Sequence, residues 1–103
     1  MENTELLVTK VKNICNITWD DDFVNEKINN IIEDAEITLN HKLGAEIDYS
    51  QKGMERRLFL NYCLYAWNDC LDEFDKKYMN EIYQIRAIYE VKQYAEKKDK
   101  SVQ

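Results

Sequence analysis

The stretch LFLNYCLYAWNDCLDEF, residues Leu58 to Phe74, decides the fold of this chain. Apolar residues occur on nearly every side of a helix drawn through its middle. A helix of that kind is buried by other helices or by neighbouring subunits. The stretch therefore predicts the central helix of a small bundle and, in a chain this short, favours an assembly protein over an enzyme.

The composition supports one helical domain. A chain of 103 residues fits one domain, which can bury a core but has little stability to spare. Hydrophobic residues make up 45% and charged residues 33%, which is typical of an ordinary folded domain. Proline is absent and the only glycines are Gly44 and Gly53, so most turn signals are missing. These totals predict an all-α fold.

Net charge excludes one large class of function. The formal charge is -6, which argues against binding of nucleic-acid phosphates as the main task. Residues 1–43 hold nine acidic and four basic side chains, whereas residues 44–103 hold eleven and ten. An acidic surface suits simple solubility, and it also suits a passage that DNA crosses without binding.

Apolar spacing predicts three to four helices, with helix three in the centre and an extended helical segment at the C-terminus. Asp20 or Thr18 is the expected N-cap of the second helix and Gly44 its C-cap. No proline or glycine separates the last two helices, so one bent helix and two separate helices both remain open. Residues 1–96 are expected to form a single domain, followed by a flexible polar tail at 97–103. The predicted helices cover about residues 4–16, 21–42, 54–71 (or 54–74) and 75–97.

The loop at residues 45–53 has two possible arrangements. Ile47 and Tyr49 either pack down on the bundle or pair with a neighbour as a short extended segment.

Cys63 and Cys70 on one helix would lie roughly 10.5 Å apart, too far for a disulfide. With Cys15, they are predicted to be small buried residues in a reducing compartment. No signal peptide or membrane-spanning run is found, so we expect a cytoplasmic protein.

No residue pattern indicates catalysis. His41 lacks the signature of a nucleophile pair and is expected to interact with a helix C-terminus. The run Asp20–Asp22 lacks the ligand spacing, glycine and closing glutamate of a calcium loop. Glycine-rich phosphate loops are missing. Arg56-Arg57 is either a surface ion-pair element or a contact for DNA or an acidic partner. We expect no catalytic residue, no metal site and no cofactor.

Several motifs together resemble the small helical head–tail connector, or head-completion, proteins of tailed bacteriophages. The first is VKNICNITWDDDF at residues 11–23, where a short opening helix leads into the second helix. The second is LNHKLG at residues 39–44. The third is NYCLYAWND at residues 61–69, followed by an apolar and aromatic series that closes with an arginine and a tyrosine. The resemblance covers about residues 5–94.

The resemblance implies an adaptor without catalysis. Such proteins assemble from monomers into a ring, here expected to be a dodecamer, beneath the portal protein after DNA packaging. The ring extends the channel and presents a surface to the stopper or tail-completion protein, and DNA passes without sequence-specific binding. Such a protein of a phage or prophage would occur in the host bacterial cytoplasm during assembly and then at the head–tail interface of the virion, away from membranes.

The resemblance also suggests two sets of contact residues. The C-terminal segment is expected to reach the portal through Tyr78, Ile82, Arg86 and Tyr89. The aromatic residues of helix three and the first interhelical turn pack in the core or serve a subunit interface, because tyrosine and tryptophan favour interfaces. The subunit set comprises Trp19, Asp20, Asp22, Tyr62, Tyr65 and Trp67.

A second class of function remains open. A small acidic regulatory protein, such as an anti-repressor or an inhibitor of a host nucleic-acid enzyme, would use its acidic face to mimic nucleic acid. It would form a small closed complex rather than a ring. A helical DNA-binding protein would require a basic recognition helix, and none of the predicted helices is basic on one face.

Overall fold

The computed structural model describes residues 2–102, with side chains described over 5–96. This part of the chain contains four α-helices and no strand, so the predicted all-α bundle is confirmed. The bundle is elongated, with principal dimensions of 55 × 31 × 18 Å. The helices are α1 (Glu2–Ile14), α2 (Asp22–Leu43), α3 (Met54–Trp67) and α4 (Leu71–Val102).

Helix α3 lies at the centre and packs against each of the other three helices. Leu58, Phe59 and Cys63 are completely buried, and Tyr62 is nearly so. The flanking residues Leu64 and Trp67 are half-buried. When apolar side chains surround most of a helix, they are removed from water only if other helices pack on several sides of it. The most apolar helix is therefore the central one.

The ends of α2 are set by two capping residues. Asp21 is the N-cap, and its carboxylate accepts a hydrogen bond from the backbone N–H of Phe23 at 2.7 Å. The prediction of Asp20 or Thr18 was therefore wrong, by one residue for Asp20 and by three for Thr18, because the cap must lie within reach of the first free amides. Gly44 is the predicted C-cap, with a left-handed φ of 71° and its N–H donated to the Asn40 carbonyl.

Helices α3 and α4 are separate and run antiparallel. The chain reverses at residues 68–70, where Asp69 takes a positive φ of 57°. Aspartate tolerates this left-handed conformation, so the turn needs neither glycine nor proline. Helix α4 consequently begins at Leu71, four residues earlier than predicted, and the hydroxyl of Tyr89, near the middle of α4, donates to Glu55 at the start of α3.

The loop at residues 45–53 packs down on the bundle. The ring of Tyr49 is 2% exposed and stacks on Phe59 with 4.7 Å between centroids. The Tyr49 hydroxyl donates to Asn40 Oδ1 at 2.8 Å, and the Ile47 N–H donates to the same oxygen at 3.3 Å. Of the two alternatives for this loop, packing within the chain is the observed one.

All three cysteines are free, but they differ in burial. Cys63 is fully buried as predicted, and this burial raises the pKa of its thiol. Cys15 and Cys70 are half-buried, so the prediction of three buried cysteines was wrong for these two. Cys70 lies in the turn after α3 rather than on one helix with Cys63, which corrects the geometry assumed from the sequence.

Helix α4 extends beyond the bundle core. Among the side chains described up to residue 96, the last buried one is Ile85 and the last half-buried one is Tyr89, whereas the helix continues to Val102. The flexible tail expected at 97–103 falls where side chains are not described, and it stays a prediction. Within the described residues, none of the helices combines the length and apolar character needed to cross a membrane.

Candidate interaction surfaces

The predicted portal residues of α4 lie mostly on its bundle side. Ile82 is 8% exposed and belongs to the core. Tyr78 packs edge-on against Tyr65 at 5.8 Å, and Tyr89 bonds to Glu55, so both are occupied within the chain. Arg86 alone is exposed, with its Nε bonded to Glu90 at 3.0 Å. The structure therefore does not bring the four residues together on one free surface.

The opposite side of α4 carries a second series of apolar residues, here called the outer face. Tyr83, Val91 and Tyr94 are each 60–69% exposed, and Ile88 is 49% exposed. The core stripe of α4, taken alone, does not predict this face. A signal was present, since residues 83, 87, 91 and 94 repeat at a helical spacing of their own. The outer face comprises Met79, Tyr83, Ala87, Ile88, Val91 and Tyr94.

A groove of about 350 Å³ lies between the C-terminal end of α2 and the first half of α4. Its apolar lining comes from α4, and its rim is basic. The Lys42 ammonium pairs with Asp75 at 3.0 Å, and an Arg86 N–H donates to the Lys42 carbonyl at 3.5 Å. The residues of this α2/α4 groove are His41, Lys42, Asp75, Met79, Ile82, Tyr83 and Arg86.

The turn between α1 and α2 forms an acidic corner, defined by residues 19–23. Trp19 is 52% exposed and Phe23 is 77% exposed, and the three aspartates between them are exposed as well. The Asn25 amide donates to Asp20 at 2.7 Å, and the Lys12 ammonium lies 3.7 Å away. The hydrogen bond first, and the lysine charge second, lower the pKa of Asp20. Asp20 therefore stays ionised at neutral pH.

The aromatic residues of α3 are engaged inside the chain. Tyr62 is 7% exposed and meets the edge of Phe74 at 5.1 Å. Tyr65 is half-buried and also packs against Phe74, at 5.9 Å. The Lys27 ammonium covers the ring of Trp67 at 4.7 Å from its centroid. The predicted subunit set thus divides into inward-packed Tyr62, Tyr65 and Trp67, and exposed Trp19, Asp20 and Asp22.

The polar side chains of the described residues form no metal-binding group, and those that join two elements stabilise the fold. Among the described residues, no group of three or more His, Cys, Asp or Glu side chains is arranged to hold a metal ion. The hydrogen bond to Glu55 raises the pKa of Tyr89 to about 12, so this hydroxyl keeps its proton at neutral pH. Arg56 donates to the Ser50 carbonyl at 3.1 Å and ties the loop to α3, whereas Arg57 is exposed.

No protein-family model, no curated protein and no solved structure matches this chain. The structure offers three exposed features to a binding partner: the outer face of α4, the α2/α4 groove and the acidic corner.

Proposed function

We propose that this chain is a structural head–tail connector of a tailed phage or prophage. It docks as a ring beneath the portal, extends the DNA channel and receives the stopper or tail. The observation that supports the proposal is the outer face of α4, where a helix already packed on its own bundle carries a second set of large apolar side chains. Contiguous exposed apolar side chains of this kind mark interaction sites.

The length of α4 suits an adaptor. Its 32 residues extend about 48 Å, close to the 55 Å long dimension of the molecule. The bundle holds the first half through Phe74, Ile82 and Ile85. The second half carries Val91 and Tyr94 past the last buried contact. A helix held at one end can lay an apolar side into a groove of a partner, a common mode of recognition.

Because of the outer face, the residues proposed to contact the portal differ from those expected from the sequence. Tyr78, Ile82 and Tyr89 already serve the interior, so removing them would disturb the fold as well as any contact. Tyr83, Val91 and Tyr94 are free within the described residues, and tyrosine is enriched in interfaces. In the proposed docked state Val91 and Tyr94 contact the portal, at the end of the outer face that lies beyond the α2/α4 groove.

The charge distribution fits a channel protein. The chain carries a net charge of -6, and the three aspartates of the acidic corner are exposed. Like charges repel the DNA phosphates, so a ring with this surface allows DNA to pass without holding it. The same charge lowers the affinity for free nucleic acid, which agrees with a structural role.

The test is the mass of a mixture of this protein with the portal ring of the phage or prophage that encodes it. Light scattering should show many copies joining one portal ring. Val91→Asp should weaken this binding about tenfold or more, because it places a charge in an apolar contact. Ile37→Asp is the matched control, since Ile37 on α2 is 71% exposed and Val91 is 68% exposed. The control should bind as the native chain does.

Two results would contradict the proposal. Equal binding by the Val91 and Ile37 variants would remove the outer face from the contact. A native chain that ignores the portal and instead forms a small closed complex with a host nucleic-acid enzyme would favour an acidic regulatory protein. Circular dichroism of each variant establishes that the helices are intact before binding is compared.

A further inference from the structure

We propose that copies of this chain associate head to tail, with the acidic corner of one copy seated in the α2/α4 groove of the next. This inference rests on the proposed function, because it names the contact by which the ring would form. It assigns the groove an occupant of defined chemistry, namely residues Trp19–Phe23 of a second copy.

The positions of the two surfaces favour a chain of contacts. Phe23 and His41 lie near opposite ends of α2, and their separation of eighteen positions corresponds to about 27 Å along the helix. A corner and a groove this far apart do not overlap, so one molecule can use both at once. Contacts between different surfaces of identical copies generate rings when the rotation closes.

The apolar parts of the two surfaces match. The groove has a volume of about 350 Å³, within the range of sites that enclose small organic groups. Met79, Ile82 and Tyr83 line it with apolar surface. The corner offers two aromatic side chains, Trp19 and Phe23, which the fold leaves exposed. Aromatic anchors inserted into apolar pockets supply most of the energy of many interfaces.

The charged parts match as well. The groove is lined by two basic side chains, Lys42 and Arg86, and one acidic side chain, Asp75, whereas the corner has three aspartates. Lys42 and Arg86 already pair with Asp75 and Glu90 of their own chain. Those acidic partners are 59% and 63% exposed. Exposed pairs of this kind contribute little and are readily shared with another acid.

Asp22 is the aspartate best suited to this role. Asp21 caps α2, and Asp20 bonds to Asn25 and pairs with Lys12. Asp22 forms no ion pair among the described residues and is exposed next to Phe23. Seating Phe23 in the groove would bring Asp22 to the basic rim, which sets the orientation of the contact.

Crosslinking between engineered cysteines tests the direction of assembly. Glu26→Cys lies one turn from Phe23 on α2, and Lys76→Cys lies one turn from Met79 on α4, so neither removes an anchor. The background carries Cys15→Ala and Cys70→Ser, since both native thiols are only half-buried. The remaining native thiol, Cys63, is completely buried, and this burial raises its pKa and slows its reaction.

The full-length double-cysteine chain, treated with a short bis-maleimide, should give a ladder of trimers and larger species. Each single-cysteine chain should give dimers at most, and an equal mixture of the two singles should stop at a heterodimer. Glu33→Cys in place of Glu26→Cys is the matched control on the exposed middle of α2, and it should give no ladder.

Charge exchange gives a second, independent readout. Arg86→Asp in the double-cysteine chain should reduce the ladder about fivefold, and Asp22→Lys should do the same. The two changes together should restore it, because they rebuild the pair with reversed signs. Failure of this rescue in a folded protein would overturn the proposed orientation.

The outcomes separate this inference from the proposed function. If no ladder forms and the native chain still joins the portal ring, the head-to-tail contact is wrong and the connector proposal stands. If the ladder forms but the portal is ignored, the contact stands and the connector proposal fails. A double-cysteine chain that gives only closed dimers shows a two-fold contact and overturns the inference.

Discussion

Tyrosine occupies both the interior and the surface of this protein, and two of the inward-facing hydroxyls are hydrogen-bonded to other elements. Tyr49 is buried and its hydroxyl donates to Asn40, and Tyr89 donates to Glu55. Tyr83 and Tyr94 are more than half exposed and need no partner within the chain. A buried hydroxyl without a partner is costly, and the sites of Tyr49 and Tyr89 each supply an acceptor.

The stability of the fold depends on pH through one side chain, that of Glu36. It is half-buried on α2, and burial first, then the charges of Glu33 and Asp48, raise its pKa above the ordinary 4.5. An acid whose pKa is higher in the folded chain than in the unfolded chain stabilises the fold fully when the pH is below its pKa in the unfolded chain. That contribution is lost as the pH rises through the folded pKa. Ionised Glu36 therefore destabilises the fold at neutral pH.

We predict that Glu36→Gln unfolds at a higher temperature than the native chain at pH 7. The two midpoints should converge as the pH falls toward 4, because the native glutamate is then protonated as well. Thermal unfolding followed by circular dichroism between pH 7 and pH 4 measures this difference. Glu26→Gln, at an exposed position of the same helix, serves as control. A difference that stays constant across the pH range would contradict the mechanism.

At the scale of elements, a single residue joins α2 to the following loop. The Asn40 carbonyl accepts from the N–H groups of Gly44 and Ala45, which ends the helix. Its side-chain oxygen accepts from Tyr49 and Ile47, which holds the loop against the bundle. The helix end and the loop are therefore stabilised together, and α3 begins from a defined position.

We predict that Asn40→Ala lowers the free energy of unfolding by about 1–3 kcal/mol, because it leaves two donors without an acceptor. Urea denaturation measures this loss, and hydrogen exchange should show faster exchange of the Ile47 amide. Asn29→Ala is the control on the same helix, and as an exposed substitution it should change stability by less than about 0.5 kcal/mol. Equal stability of the two variants would show that the Asn40 side chain does not hold the loop.

The whole molecule has one core to which all four helices contribute. Cys63 on the central helix is completely buried, and the cluster around it extends from Leu7 on α1 to Ile85 on α4. Helices that share one core are expected to unfold together, since none keeps its buried face without the others.

We predict that the Cys63 thiol becomes reactive only when the whole molecule unfolds. In a chain with Cys15→Ala and Cys70→Ala, labelling in increasing urea should follow the same transition as circular dichroism. A chain that keeps only Cys70 should label without denaturant, because Cys70 is half-exposed in a turn. Rapid labelling of Cys63 with no dependence on urea would show that α3 opens separately from the rest.

Local sequence was sufficient for the coarse architecture. The apolar spacing of α2, the glycine at 44 and the apolar circumference of α3 predicted a helical bundle with α3 at its centre, because these signals act within a few residues of each other. The exposed corner at Trp19, Asp20 and Asp22 could also be selected from the sequence. The choice of Asp21 as cap could not, since neighbouring aspartates differ only in the exact direction of their carboxylates.

Tertiary structure alone decided which side of α4 is free and where the groove lies. The turn at residues 68–70 sends α4 back along α3, and the contact from Tyr89 to Glu55 then commits one side of α4 to the interior. Met79 and Tyr83 become groove and surface residues only because α2 ends beside them. The sequence by itself determined the helices and the central place of α3, through periodicity and burial. The groove and the free side of α4 depend on contacts between residues more than thirty positions apart, which no local pattern specifies.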